Sequence, residues 1–177
     1  MNLALYRSPE EIAAAVKRLA GEINRDYAGL EPLFVGVLNG SYIFIADLTR
    51  RLEMPIALDF MRASSYGEGR DSCGQVTITR DLEQDVSGRD VIVVEDIVDT
   101  GLTLSCILQH IGERKPASLR VCALLDKPGR RAVDCRPDYV GMEVEDLFLV
   151  GYGLDLAGRY RNLAGLYTLA DGPDSAA

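Results

Sequence analysis

The chain of 177 residues contains one histidine, His110, and four cysteines without a Cys-x-x-Cys pair. A single histidine excludes zinc sites built from several imidazoles and makes any Ser-His or Cys-His catalytic pair depend on that one residue. His110 falls among Ile107, Leu108 and Ile111 on an expected helix and therefore reads as structural. Cys73, Cys106, Cys122 and Cys135 stand 33, 16 and 13 residues apart, which suggests neither a zinc knuckle nor a dense disulfide framework, so reduced thiols are expected. Basic charge is also scarce. Nineteen Lys and Arg against 27 Asp and Glu leave a net charge of −8, which argues against a general phosphate-backbone binder. An acidic chain can hold a polyanion only through local chemistry. Nowhere do 18 apolar residues run together, and Arg7, Glu10 and Glu11 interrupt the N-terminal stretch. A soluble, unexported, cytoplasmic protein without a membrane partner is the expectation.

The chain has neither an internal repeat nor a linker, and with 47% hydrophobic residues it is expected to form one domain with one core. Ser8-Pro9-Glu10-Glu11 reads as a helix start, with Ser8 as cap and Glu11 three residues on. Ile12, Val16, Leu19, Ala20 and Ile23 follow with helical spacing. Leu33–Leu38 is a short apolar run suited to a sheet covered on both faces, and a second helix is expected over Tyr42–Leu52. Ile56–Met61 reads as a strand and Ala63–Gln75 as a mobile loop. Val76–Ile78 resumes apolar alternation, Val91–Val94 is the most strand-like stretch, a helix is expected over Leu102–Arg114, and Leu119–Leu125 is a further strand. Strands separated by helices imply right-handed crossovers and a mainly parallel, twisted sheet flanked by helices, an α/β fold. After Pro128 the short pieces Tyr139–Val144 and Phe148–Val150 suggest a small hood over the sheet edge, which the N-terminal segment and residues 128–177 would build.

In such sheets ligands sit beyond the carboxyl ends of the strands. There the sequence Val91-Ile92-Val93-Val94-Glu95-Asp96-Ile97-Val98-Asp99-Thr100-Gly101-Leu102-Thr103 delivers two adjacent carboxylates and then a turn of small residues entering a helix. Two carboxylates so placed can accept hydrogen bonds from a vicinal diol and orient a hydrated Mg²⁺. Asp99–Thr103 offers backbone N–H groups and two hydroxyls at a helix N-terminus, a phosphate cradle without a Lys or Arg. A ribose 5-phosphate satisfies both halves. By itself the acid pair reads more readily as solvated strand-end acids, with Asp99 as a helix cap.

The complete string resembles the thirteen-residue signature of the phosphoribosyltransferases, and its Glu-Asp-Ile-x-Asp-Thr-Gly form resembles the bacterial hypoxanthine-guanine branch in particular. The resemblance extends over roughly residues 5–170 and implies the type I phosphoribosyltransferase fold. Leu38-Asn39-Gly40-Ser41 lies where that family has its pyrophosphate loop, in which a strained peptide turns backbone N–H groups toward the leaving group. Many relatives have Lys-Gly-Gly there, so Asn39 and Ser41 are departures that reduce positive charge. Ser65 and Tyr66 match the Ser-Tyr pair of a mobile catalytic lid over about residues 63–75. Lys127 matches a lysine that contacts the exocyclic oxygen of a 6-oxopurine. Phe148 matches a residue that stacks on the base, Leu149 one whose backbone meets the base edge, and Asp155 one near a second Mg²⁺. Arg161 matches an arginine reaching the pyrophosphate.

The resemblance implies Mg²⁺-dependent replacement of pyrophosphate at C1 of 5-phosphoribosyl 1-pyrophosphate by N9 of hypoxanthine or guanine. The metal residues would be Glu95, Asp96 and Asp155; the phosphoribosyl pyrophosphate would be met by Leu38–Ser41, Glu95, Asp96, Asp99, Thr100–Thr103 and Arg161. Asp99 would lie near purine N7 as acid or base, aided by Ser65 and Tyr66 in the closed lid. Family members are usually dimers or tetramers, and a homodimer or homotetramer is the expectation. Three alternatives remain at this point: a xanthine- or guanine-preferring transferase, an RNA-binding regulator on the same fold, and an unrelated Mg²⁺ phosphohydrolase. The acidic charge counts against RNA as a partner.

Overall fold

A computed structural model describes residues 2–65 and 76–169. In chain order the elements are β1 (Leu3–Arg7), α1 (Pro9–Asp26), β2 (Leu33–Val37), α2 (Tyr42–Thr49), β3 (Ala57–Ser65), β4 (Val76–Arg80), β5 (Asp90–Val98), α3 (Leu102–Gly112), β6 (Ser118–Asp126), β7 (Tyr139–Glu143), β8 (Leu149–Val150) and β9 (Leu166–Leu169). A six-stranded sheet runs β4-β3-β2-β5-β6-β7, parallel except for the antiparallel β3–β4 pair, and an antiparallel three-stranded sheet runs β1-β9-β8.

The inner strands β2 and β5 are apolar and buried over most of their length because both faces are covered. Along β5 the pleat sends Ile92 and Val94 into one core, with Phe34, Phe44 and Leu124, and Val91 and Val93 into a second core with Ile107 of α3. Helix α1 starts with a complete capping box: Glu11 N–H donates to Ser8 Oγ at 3.3 Å, and Ser8 N–H donates to Glu11 Oε2 at 2.7 Å. Its Ile12, Val16, Leu19, Ala20 and Ile23 are all buried, as the helical spacing requires. Among the described residues no helix is long and apolar enough to cross a membrane.

Several expectations differ from the structure for identifiable reasons. Tyr139–Glu143, assigned to a hood, is instead the outer strand of the large sheet, paired in parallel with β6. Alternating apolar residues do not distinguish which of two sheets a short strand joins. Helix α2 ends at Thr49 rather than Leu52, since Arg51 N–H turns back to Leu48 O at 2.9 Å and Leu52 N–H to Thr49 O at 3.2 Å. Helix α3 ends at Gly112, followed by Lys115 at φ +57° before Pro116. Strand β5 continues through Glu95 and Asp96 to Val98 because β6 accompanies it, Val98 pairing with Asp126. Ala63–Ser65, expected in a loop, prolong β3 against β4, and the remainder of the expected loop lies outside the described residues. Among the described residues Cys122 and Cys135 are free thiols, as expected, and Cys73 lies outside the described residues. His110 has a structural partner, its Nε2 standing 3.0 Å from Asp81 Oδ1.

Candidate active site

The site is set by where neighbouring strands stop. Pairing between β2 and β5 ends at Gly36 and Val94, whereas β5 pairs with β6 for four residues more. Glu95 and Asp96 therefore stand beside a crevice beyond the carboxyl end of β2. There the order reverses, β3 lying on one side of β2 and β5, β6 and β7 on the other. As adjacent strand residues they diverge: Glu95 lines a pocket of about 100 Å³ at the start of α3, while Asp96 faces the loop after β2.

At Asp96 the packing leaves no room. A methyl group on Gly40 would lie 1.5 Å from Asp96 Oδ2, and one on Gly153 would lie 2.0 Å from the Gly40 carbonyl oxygen. Two glycines thus let the loop 38–41, strand β5 and the loop after β8 meet. The Leu38–Asn39 peptide is cis. Leu38 N–H is spent on Met61 O at 2.9 Å and Ser41 N–H on Val37 O at 3.4 Å, so the amides of Asn39 and Gly40 are those without a partner among the described residues. Ser41 is fully buried and its hydroxyl donates to Val37 O at 2.6 Å, which removes that side chain from direct contact with a ligand.

Arg161 is held beside this junction. It donates to Gly153 O at 2.6 Å and pairs with Asp155 Oδ1 at 2.6 Å, while Asp155 Oδ2 accepts from Gly158 N–H at 2.7 Å. Burial raises the Asp96 carboxyl to about 6 from 3.8, outweighing the Ile97 and Asp96 backbone N–H groups and the Arg161 charge that oppose it; Asp155 adds to the rise. Glu95 is raised well above the carboxylate range by burial and by the charge of Asp96. It is buried and has no hydrogen-bond or ion-pair partner among the described residues. A carboxylate in that state fits sugar hydroxyls or a hydrated divalent cation. Among the described residues no three acid, histidine or cysteine side chains converge on a metal position, so Mg²⁺ here would draw most of its ligands from water and substrate, its usual habit.

The turn into α3 is open. Gly101 is the helix cap and supplies no side chain, Leu102 N–H has only a 3.4 Å contact to Thr100 Oγ1, and the amides of Gly101, Thr103 and Leu104 have no partner among the described residues. These donors, with the Thr100 and Thr103 hydroxyls, surround the pocket beside Glu95. Behind them Arg131 donates to Asp99 O at 2.7 Å and pairs with Asp126, and Ala132 N–H bonds Thr100 O at 2.9 Å.

A larger cavity of about 430 Å³ adjoins, lined by Asp99, Lys127, Arg130, Asp146, Leu147 and Phe148, with Thr168 and Leu169 of β9. Phe148 is 40% exposed, a large apolar ring presented at the cavity. Leu149 sends its side chain into the core from β8, an edge strand of the small sheet, so only its backbone could meet a ligand. Ser65 lies at the end of β3, and Tyr66 lies outside the described residues. The structure thus places Glu95 with Thr100, Gly101 and Thr103 at one pocket, Asp96 with loop 38–41, Asp155 and Arg161 at the glycine junction, and Asp99, Lys127 and Phe148 around the adjoining cavity. Sequence reasoning missed Gly153, Arg130, Arg131 and Asp146. Gly151-Tyr152-Gly153 was a visible signal for a close approach, and Arg130-Arg131 a visible pair of cations after Pro128-Gly129.

Residues 4–156 match the sequence profile of the phosphoribosyl transferase domain. The chain belongs to the phosphoribosyl transferase family. Among its relatives in that family, the hypoxanthine phosphoribosyltransferase of Salmonella typhimurium is 48% identical over 155 residues, 86% of this chain and 87% of that protein. The hypoxanthine-guanine phosphoribosyltransferase of Aquifex aeolicus is 45% identical over 171 residues, 96% of each chain. A crystal structure of a hypoxanthine phosphoribosyltransferase from Staphylococcus aureus superposes with a TM-score of 0.92 at 40% identity, covering 98% of this chain and 94% of that one. The phosphoribosyl transferase fold accounts for the crevice, since it opens where the strand order of the parallel sheet reverses.

Two outcomes test this geometry. Gly40→Ala must displace Asp96 or the loop, and overpacking of this kind costs about 1–3 kcal/mol, so the thermal midpoint should fall by about 2–12 °C. The ionised form of Asp96 is disfavoured by folding, so its cost is fully present above about pH 6 and vanishes as pH falls toward 3.8. Asp96→Asn should therefore raise the thermal midpoint of the ligand-free protein at about pH 7.5, with the gain shrinking toward about pH 4.5.

Proposed function

We propose that the protein is a purine-salvage transferase that converts hypoxanthine, and guanine, with 5-phosphoribosyl 1-pyrophosphate to IMP, or GMP, and pyrophosphate, in the cytoplasm and with Mg²⁺. The observation that carries this is the adjacency of an amide-lined phosphate cradle to a cavity holding Lys127 and Phe148, in a chain of the phosphoribosyl transferase family. The names of the relatives favour hypoxanthine over a xanthine-preferring transferase and over an RNA-binding regulator. The net charge of −8 is consistent with small-molecule substrates and no nucleic-acid partner. A homodimer or homotetramer is the proposed assembly.

Departure of pyrophosphate leaves an oxocarbenium-like centre at C1, so the residues act by holding the reactants in line and neutralising developing charge. The amides and hydroxyls of Thr100–Thr103 hold the 5-phosphate, and Glu95 and Asp96 accept from the ribose hydroxyls. The Asn39 and Gly40 amides and Arg161 face the pyrophosphate. Mg²⁺, when bound, supplies positive charge against the leaving group, and Glu95, Asp96 and Asp155 are the residues that would hold it. Phe148 stacks on the base, the Leu149 backbone meets its edge, and Lys127 donates to its exocyclic oxygen. Asp99 exchanges a proton at N7, and Ser65 and Tyr66 help exclude water from the cation.

A panel of hypoxanthine, guanine, xanthine, adenine and uracil with phosphoribosyl pyrophosphate and Mg²⁺ tests the assignment. Turnover of hypoxanthine is expected, and turnover of no base would overturn it. Asp99→Asn should lower kcat by about 10²–10⁴ with the thermal midpoint preserved; a near-normal kcat would remove Asp99 from the chemistry.

A further inference from the structure

Four charged side chains alternate in sign around the base cavity. Arg130 Nε is 3.1 Å from Asp99 Oδ1 and Arg130 NH1 is 3.4 Å from Asp146 Oδ2; Lys127 Nζ is 3.9 Å from Asp99 Oδ2 and 3.7 Å from Asp146 Oδ1. They come from four places: Asp99 follows β5, Lys127 follows β6, Arg130 lies in the short turn Pro128–Arg130, and Asp146 stands two residues before Phe148. Lys127 differs from the others in burial, its side chain being 9% exposed against 40% for Asp99 and 60% for Asp146.

A nearly buried ammonium needs nearby negative charge. Lys127 has it on both sides, yet neither carboxylate is within hydrogen-bonding reach, and among the described residues its side chain makes no hydrogen bond. Its N–H donors therefore remain available to a neutral acceptor such as a ring carbonyl. That suspension requires two carboxylates. With Asp99 alone, the ammonium would close the gap and pair with it directly. Arg130 would likewise lose its second partner and turn wholly to Asp99. In the base-free cavity the donor for the base would then be taken up by Asp99, and an entering base would have to break that pair before it could be bound.

We propose that Asp146 is a positioning residue that sets the affinity for 6-oxopurines by holding Lys127 away from Asp99, with Arg130 as the cation that keeps Asp146 in place. The inference rests on the purine reading above. Asp146 does not touch the reacting atoms; its effect reaches the base through Lys127.

The test is steady-state kinetics with hypoxanthine at saturating phosphoribosyl pyrophosphate, for the unaltered protein, Asp146→Asn, Asp146→Glu, Lys127→Ala and the Lys127→Ala/Asp146→Asn pair. A partly exposed charge pair contributes modestly, so Asp146→Asn should raise KM for hypoxanthine about three- to tenfold, with kcat within about twofold. Asp146→Glu should restore KM, and Asp146→Asn should have no further effect once Lys127 is alanine, because the two act as a unit. An unchanged KM would overturn the proposal, as would the same KM rise in the Lys127→Ala background, or a fall in kcat alone. Absence of turnover by the unaltered protein would instead bring down the purine reading, and this inference with it.

Discussion

Everything in the site is referred to one contact, the meeting of Gly40 with Asp96 on one side and Gly153 on the other. Neither glycine has space for a single added carbon, so three segments distant in sequence are fixed at van der Waals distance. Loop 38–41 follows β2, Asp96 lies within β5, and Gly153 follows β8, which belongs to the small sheet. The junction joins the two sheets at the place where the leaving group would sit. Arg161, bonded to Gly153 and Asp155, is carried to the same place by the same loop.

The distribution of charge follows from this arrangement. The crevice contains Glu95, Asp96 and Asp155 against Arg161, and the cradle beside it contains no cationic side chain. Burial of two neighbouring carboxylates is unfavourable, and the displaced titration of Glu95 and Asp96 expresses that cost. A site in this condition has its acids ready for a cation or a diol, at the expense of the empty protein. The adjoining cavity is opposite in character. Arg130, Arg131 and Lys127 are each matched by a carboxylate, so the cavity is close to neutral, as the neutral base of the proposed reaction requires.

Much of this was legible in the sequence, and what was missed has physical reasons. The capping box at Ser8, the apolar run of β5 and the small-residue turn at 99–103 are local signals, and the structure bears out the helix and strand they predict. Strand ends were less legible: β5 extends to Val98 because β6 happens to accompany it, which depends on a partner 28 residues away. Tyr139–Glu143 joins the large sheet rather than the expected hood, because a short apolar alternation suits either. Ser41 resembled a ligand residue by position, but its hydroxyl is consumed by Val37 O, a contact that only the turn geometry reveals. Arg130, Asp146 and Gly153 escaped notice because each matters only through a neighbour that the fold supplies.

In the proposed transferase the grip on the phosphate is made of main-chain amides rather than cationic side chains. An amide does not titrate in the range where proteins are stable, and no side-chain substitution short of proline removes it. The phosphate recognition proposed for Gly101–Leu104 is therefore insulated both from acidity and from most point mutations. The carboxylates across the crevice enjoy neither protection. Drift in sequence or environment would accordingly alter metal and sugar contacts first, and the anchor of the nucleotide last.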